Sequence, residues 1–246
     1  MAPQPFGRGA MMFVHHGKEK TMNINDKQLS RPAMQVLITA ASGFDTAPNC
    51  YWLHGFCLLT CRRSAEGVSV TGKLMTGERF ADDAPLIRAL SRELDDQAVL
   101  VGLDLTDMVG RLGRLPTDAE DQKPALALLA RLRAMLVAND PIDLALTDLS
   151  RSWLVASARE NGLHLAEPWE GGEQSLCAPS GVGFDDLNPT RLATDLVNTA
   201  GACLLAAAEL RHRDNHTSVA AAWRRWRSDL LIAPAMFGSP WRVDPN

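Results

Sequence analysis

The hydrophobic pattern of this chain changes period along its length, from short β-type runs in its first third to long helical stripes near its end. Met34-Gln35-Val36-Leu37-Ile38-Thr39-Ala40-Ala41 is a compact apolar run with β-branched residues, which predicts a buried strand. Gly43, Asp45, Pro48 and Asn49 then supply turn chemistry, and residues 51–61 predict a second strand. Beyond Gly67, the alternation of Val68-Ser69-Val70-Thr71-Gly72-Lys73-Leu74 suits a third. Three successive strands joined by short turns form an antiparallel meander.

Helical periodicity begins after Asp82-Asp83. Pro85 in the first turn, with Leu86, Leu90 and Leu94 at i, i+4 and i+8, predicts a helix over 85–94. Residues 98–102 are a continuous apolar stretch of the kind buried in a parallel sheet. Further helices are predicted at 106–115, at 123–137 with Pro124 in the first turn, at 144–161 ended by Gly162, and at 190–211. Between the last two, residues 167–189 carry Gly171, Gly172, Pro179, Gly181, Gly183 and Pro189 and read as a long loop. Residues 1–30 lack any such pattern and read as a disordered N-terminal extension, with Met22 an alternative start; residues 31–246 read as one domain whose C-terminal part is helical.

Composition narrows the class. A chain of 246 residues, 46% hydrophobic and 22% charged, can bury a substantial core. Its formal net charge of −4 provides no global field for nucleic acid or an anionic membrane, so such binding needs a local patch. The five cysteines (Cys50, Cys57, Cys61, Cys177 and Cys203) are odd in number and form no CxxC pair, which fits reduced thiols in the cytoplasm. His54, Cys57 and Cys61 share one predicted strand, where their spacing does not converge on a metal ion. No apolar run reaches the roughly 18–20 residues of a membrane helix, and the N-terminal segment has no continuous apolar core of a secretory signal.

The candidate chemistry centres on Asp195. Leu192, Leu196, Thr199, Cys203 and Leu210 recur at helical spacing among small alanines, so an acid near the start of this buried helix must be capped, paired or functional. The phrase Thr194-Asp195-Leu196-Val197-Asn198-Thr199, leading into an apolar helix, resembles the last motif of the DEDD 3′–5′ exonucleases, in particular those related to the proofreading domain of family-B DNA polymerases. The resemblance implies an RNase H-like α/β fold, a mixed sheet of an antiparallel meander plus parallel strands flanked by helices, and this is the element order along the chain. It also implies hydrolysis at a nucleic-acid 3′ end, with Mg²⁺ or Mn²⁺ held by four carboxylates: an Asp-x-Glu on the first strand, an Asp after the fourth, and the Asp of the late helix.

The remaining motifs match incompletely. Leu100-Val101-Gly102-Leu103-Asp104-Leu105-Thr106-Asp107 is similar to the second motif, yet in register the metal-binding Asp falls on Val109, leaving Asp104 or Asp107 as substitutes. On the first strand Thr39 and Ala41 stand where the Asp and Glu belong; sliding to Phe44-Asp45-Thr46 recovers Asp45 but puts Ala47 at the Glu position. Arg191 replaces the Tyr that one branch places four residues before the last Asp. The expected catalytic set is therefore Asp45, Asp104, Asp107 and Asp195, with Asp45 and Asp195 as metal ligands, and catalysis is expected to be weakened or lost. The alternative is a non-catalytic module that binds protein or nucleic acid on the same fold.

A local basic tract, Trp223-Arg224-Arg225-Trp226-Arg227, offers the surface for that alternative. On a helix Trp223 and Trp226 share a face, which serves core packing with solvated charge or, with Arg224, Arg225 and Arg227, stacking and phosphate contacts to single-stranded nucleic acid. No G-x-x-x-x-G-K-[ST] loop or G-x-S-x-G elbow occurs, and His212 and His216 lie in a charged helix end rather than a metal site. If the resemblance holds, residues 36–41 form a central strand beside 98–102, with the four acids at one end of the sheet and only weak affinity for a divalent ion.

Overall fold

The computed structural model describes residues 32–44, 47–76, 84–115, 122–149, 151–163, 189–211 and 216–232, all within the unit that spans Pro32–Asn246. Its strands β1 (Met34–Phe44), β2 (Ala47–Ser64), β3 (Gly67–Thr76), β4 (Val99–Gly102) and β5 (Ile142–Asp143) hydrogen-bond in the order β3-β2-β1-β4-β5. β1 is central. It pairs antiparallel with β2, which pairs antiparallel with β3, while β4 lies parallel to β1 and β5 parallel to β4. The expected neighbours meet in register, with Met34 opposite Val99 and Val36 opposite Val101. The proposed N-terminal extension lies outside the described residues.

Helices cover both faces of this α/β sheet. α1 (Ala84–Glu93), α2 (Leu105–Leu112) and α3 (Gln122–Ala138) bury Leu86, Leu90, Met108, Leu128 and Leu132 against Leu37, Phe56, Leu58 and Leu100 of the strands. On the other face α4 (Arg151–Glu160), α5 (Pro189–Arg211) and α6 (His216–Ile232) pack against Val36, Ile38, Cys57, Leu59 and Val101. The alternation of Val36 and Ile38 with Leu37 along β1 is the period-two signature that feeds both cores. Gly201 of α5 lets the fully buried Trp223 ring of α6 lie against the helix; a Cβ at that position would fall 2.5 Å from the indole.

Two features escape the sequence pattern. β5 is only two residues long, too short to carry a period. The single helix expected over 144–161 is instead a 3-10 turn at Leu144–Leu146 and a separate α4, because Asp143 caps the turn and Thr147 then becomes extended. Gly162 does end α4 as expected, adopting φ +69° while the Leu163 N–H donates back to the Ala158 carbonyl at 2.9 Å.

The amino ends of the parallel strands are tied down by side chains. Gln35, 1% exposed on β1, donates to Thr60 Oγ1 and to the Glu93 carbonyl, each at 3.0 Å, and accepts from the Asp95 N–H at 2.8 Å. Arg131 of α3 donates to the Ser91 and Leu94 carbonyls and pairs with Asp96, capping the end of α1. Asn139 donates to the carbonyls of Asp96 and Ala98. At this same end Arg211, the last residue of α5, donates to the Asp140 carbonyl just before β5.

Candidate functional site

That last contact places the end of α5. Its C-terminus meets the chain at the amino end of β5, and Asp195 lies sixteen residues earlier, roughly 24 Å back along a helix rising 1.5 Å per residue. Along its length α5 contributes Ala193, Leu196, Val197, Ala206, Ala207 and Ala208 to one core cluster with Val36, Val101 and Leu144. Opposite the Arg211 contact lie the carboxyl ends of the parallel strands. This is also the end where Asp104 follows β4 and where ligands gather in open α/β sheets, outside the strands where the order of connections reverses.

The acids at this end do different work. Asp104 is the N-cap of α2, accepting the Asp107 N–H at 2.9 Å. Asp107 pairs with Arg111 at 2.6 Å along the same helix. Asp143, which the sequence did not single out, accepts the Leu105 N–H at 3.0 Å and the Ala145 N–H at 3.1 Å, binding β5 to the start of α2. Burial pushes its carboxyl above the ordinary value and neighbouring Asp104 adds to the effect, while N–H donors from Ala145, Leu105 and Thr106 oppose it. The signal for Asp143 was a short Pro141-Ile142-Asp143 tract after a helix, an acid placed to cap the next turn.

The positions of the first acid pair carry no ligand. Thr39 and Ala41 on β1 are 4% and 2% exposed, closed into the sheet. Beside them β2 carries a bulge: Ala40 faces Gly55 and Ala41 faces Leu53, so His54 is the extra residue. Burial lowers the His54 pKa. Asp45 lies outside the described residues, as does most of the 167–189 loop. Among the described residues no three His, Cys, Asp or Glu side chains are grouped to hold a metal ion. Asp104 serves as a cap, Asp107 is paired with arginine and Asp143 accepts two backbone N–H groups, so these three described acids do not make up the ligand set of a two-metal centre.

The basic tract divides. Trp223 is 0% exposed, so it cannot offer a ring face to a base, which corrects the stacking role considered for it. Arg227 sits 5.3 Å from the Trp223 ring centroid and donates to the Gly162 carbonyl at 3.0 Å, clamping α6 to the end of α4. Arg224 and Arg225 face solvent. The Cys57 and Cys61 pair is also structural: burial raises both thiols, Cys61 to about 11 with Arg63 opposing, so neither is a nucleophile at neutral pH.

Fold and site thus define an α/β protein with a five-strand mixed sheet flanked by helices and a cluster of separately engaged acids at one end. No family model, no curated protein and no solved structure matches the chain. No helix among the described residues is long and apolar enough to cross a membrane.

Proposed function

We propose that this chain is a nucleic-acid-processing domain of RNase H-like architecture, akin to the DEDD 3′–5′ exonucleases, whose metal-dependent catalysis has been weakened or lost. The observation that supports this reading is the order of the sheet, with a central β1 antiparallel to β2 and parallel to β4 and the long α5 packed on one face. The loss of catalysis is supported by Thr39 and Ala41, which are buried and carry no carboxylate, and by the prior engagements of Asp104 and Asp107. A cytoplasmic setting accords with the free thiols of Cys57, Cys61 and Cys203.

The experiment is hydrolysis of 3′-labelled single-stranded DNA by the full chain in Mg²⁺ or Mn²⁺. The proposal expects little or no release, and that residue of activity, if measurable, to vanish in Asp195→Ala. Rapid hydrolysis, or hydrolysis that survives Asp195→Ala, contradicts it. A binding-only role on the same fold is favoured by solvent-facing Arg224 and Arg225. In that case association with single-stranded DNA persists in EDTA, weakens with salt and drops in Arg224→Ala/Arg225→Ala. Salt-insensitive association points instead to a protein ligand.

A further inference from the structure

The end of α4 carries a chemistry unrelated to the acids of the sheet. Asn161-Gly162 is the one Asn-Gly step in the sequence. Because glycine has no Cβ, nothing on it shields its amide nitrogen from the carboxamide before it, and this dipeptide closes a succinimide ring more readily than any other Asn step. Asn139 and Asn198 are held differently. Asn139 precedes an aspartate and donates to the carbonyls of Asp96 and Ala98, while Asn198 is 2% exposed within α5 and precedes the β-branched Thr199. Asn161 is half-buried and Gly162 exposed, and the Asn161 Nδ2 donates to the Ser157 carbonyl of its own helix at 2.8 Å.

The folded turn holds the two reacting groups back. Gly162 donates its N–H to the Arg159 carbonyl at 3.0 Å, and Leu163, itself 2% exposed, donates to the Ala158 carbonyl at 2.9 Å. An amide hydrogen shared with a carbonyl keeps its nitrogen from attacking, so the turn must open locally before the ring can close. Arg227 of α6 ties the turn from outside, donating to the Gly162 carbonyl at 3.0 Å.

We propose that Asn161 is a site of spontaneous deamidation and that Arg227 sets its rate. When the turn opens, the Gly162 nitrogen bonds to Asn161 Cγ, the Cγ–Nδ2 bond breaks, and Nδ2 leaves as ammonia with the proton of the Gly162 amide. Water then hydrolyses the succinimide at either carbonyl, leaving aspartate or isoaspartate. Both products lose the donor to the Ser157 carbonyl and set a negative charge at the carbonyl end of α4, where the helix dipole opposes it.

The test incubates the full chain in mildly alkaline buffer and follows aspartate and isoaspartate at position 161 by peptide mapping and mass spectrometry. The folded parent should convert several-fold more slowly than the same chain in urea, and Arg227→Ala should convert about threefold faster than the parent or more. Hydrogen exchange of the Leu163 amide should rise in Arg227→Ala by the same factor, which ties the chemistry to opening of this turn. Leu163→Ala, which trims the buried side chain behind the turn, should accelerate conversion by a second route if Arg227→Ala loses its cooperative melt. A folded parent that matches the urea rate, no conversion at 161 in either state, or a rate in the folded variant equal to the parent's would overturn the proposal.

Discussion

The two ends of the parallel strands use polar residues in opposite ways. At the amino end the polar side chains Gln35, Arg131 and Asn139 each satisfy two or more groups, and nearly all of them are backbone groups of the 91–98 connection. At the carboxyl end Asp104 and Asp107 lie in the start of α2 and Asp143, at the end of β5, accepts from its first N–H, so that the Asp104 and Asp143 charges act on one another. The first arrangement distributes charge and closes hydrogen bonds; the second concentrates charge at a place where the sheet ends.

Substitutions should separate the two ends by magnitude. Gln35→Ala would leave the Asp95 N–H and the Glu93 carbonyl without their partner in a nearly closed site, and should lower unfolding free energy by about 3 kcal/mol in urea titration. An unchanged midpoint would show that the amino end is not the anchor. Gly201→Ala, which forces a methyl into the Trp223 indole, should cost about 2 kcal/mol and should report on the packing of α5 against α6. Asp104→Ala removes only a cap, at about 1 kcal/mol, and a loss as large as that of Gln35→Ala would erase the contrast between the ends.

Asp143 gives a test of sign. Because its folded pKa is raised, its ionisation opposes folding: its contribution is fully present below the unfolded value and is lost as pH rises through the folded one. Melting temperatures of the parent chain and Asp143→Asn, followed upward from about pH 3.5, should therefore shift in favour of the variant. A gap that widens in favour of the parent would mean that the backbone donors outweigh burial and Asp104.

Much of the scaffold was legible in the sequence because period carries it. The meander and the long α5 follow from runs whose alternation is two residues or 3.6, and Gly162 ended its helix where a left-handed residue was needed, whereas the pairing of β1 with β4 was expected only from the family resemblance. β5 was not legible, since two residues have no period and its place is set by β4 alongside. The candidate site was less legible still. Asp104 and Asp107 were visible as acids, but the same residue types serve as a helix cap and as an ion-pair partner, and only the geometry separates these roles. Asp143 was hidden by a false helical period, and Trp223 by a face that a buried core and a stacking platform would share.

The central proposal is an RNase H-like domain whose metal-dependent catalysis is weakened or lost, and calorimetric titration of the full chain with Mn²⁺ tests it most directly. The parent chain and Asp195→Ala should give the same featureless heats through the micromolar range. Saturable micromolar binding by the parent that disappears in Asp195→Ala would contradict it and restore a functioning metal site.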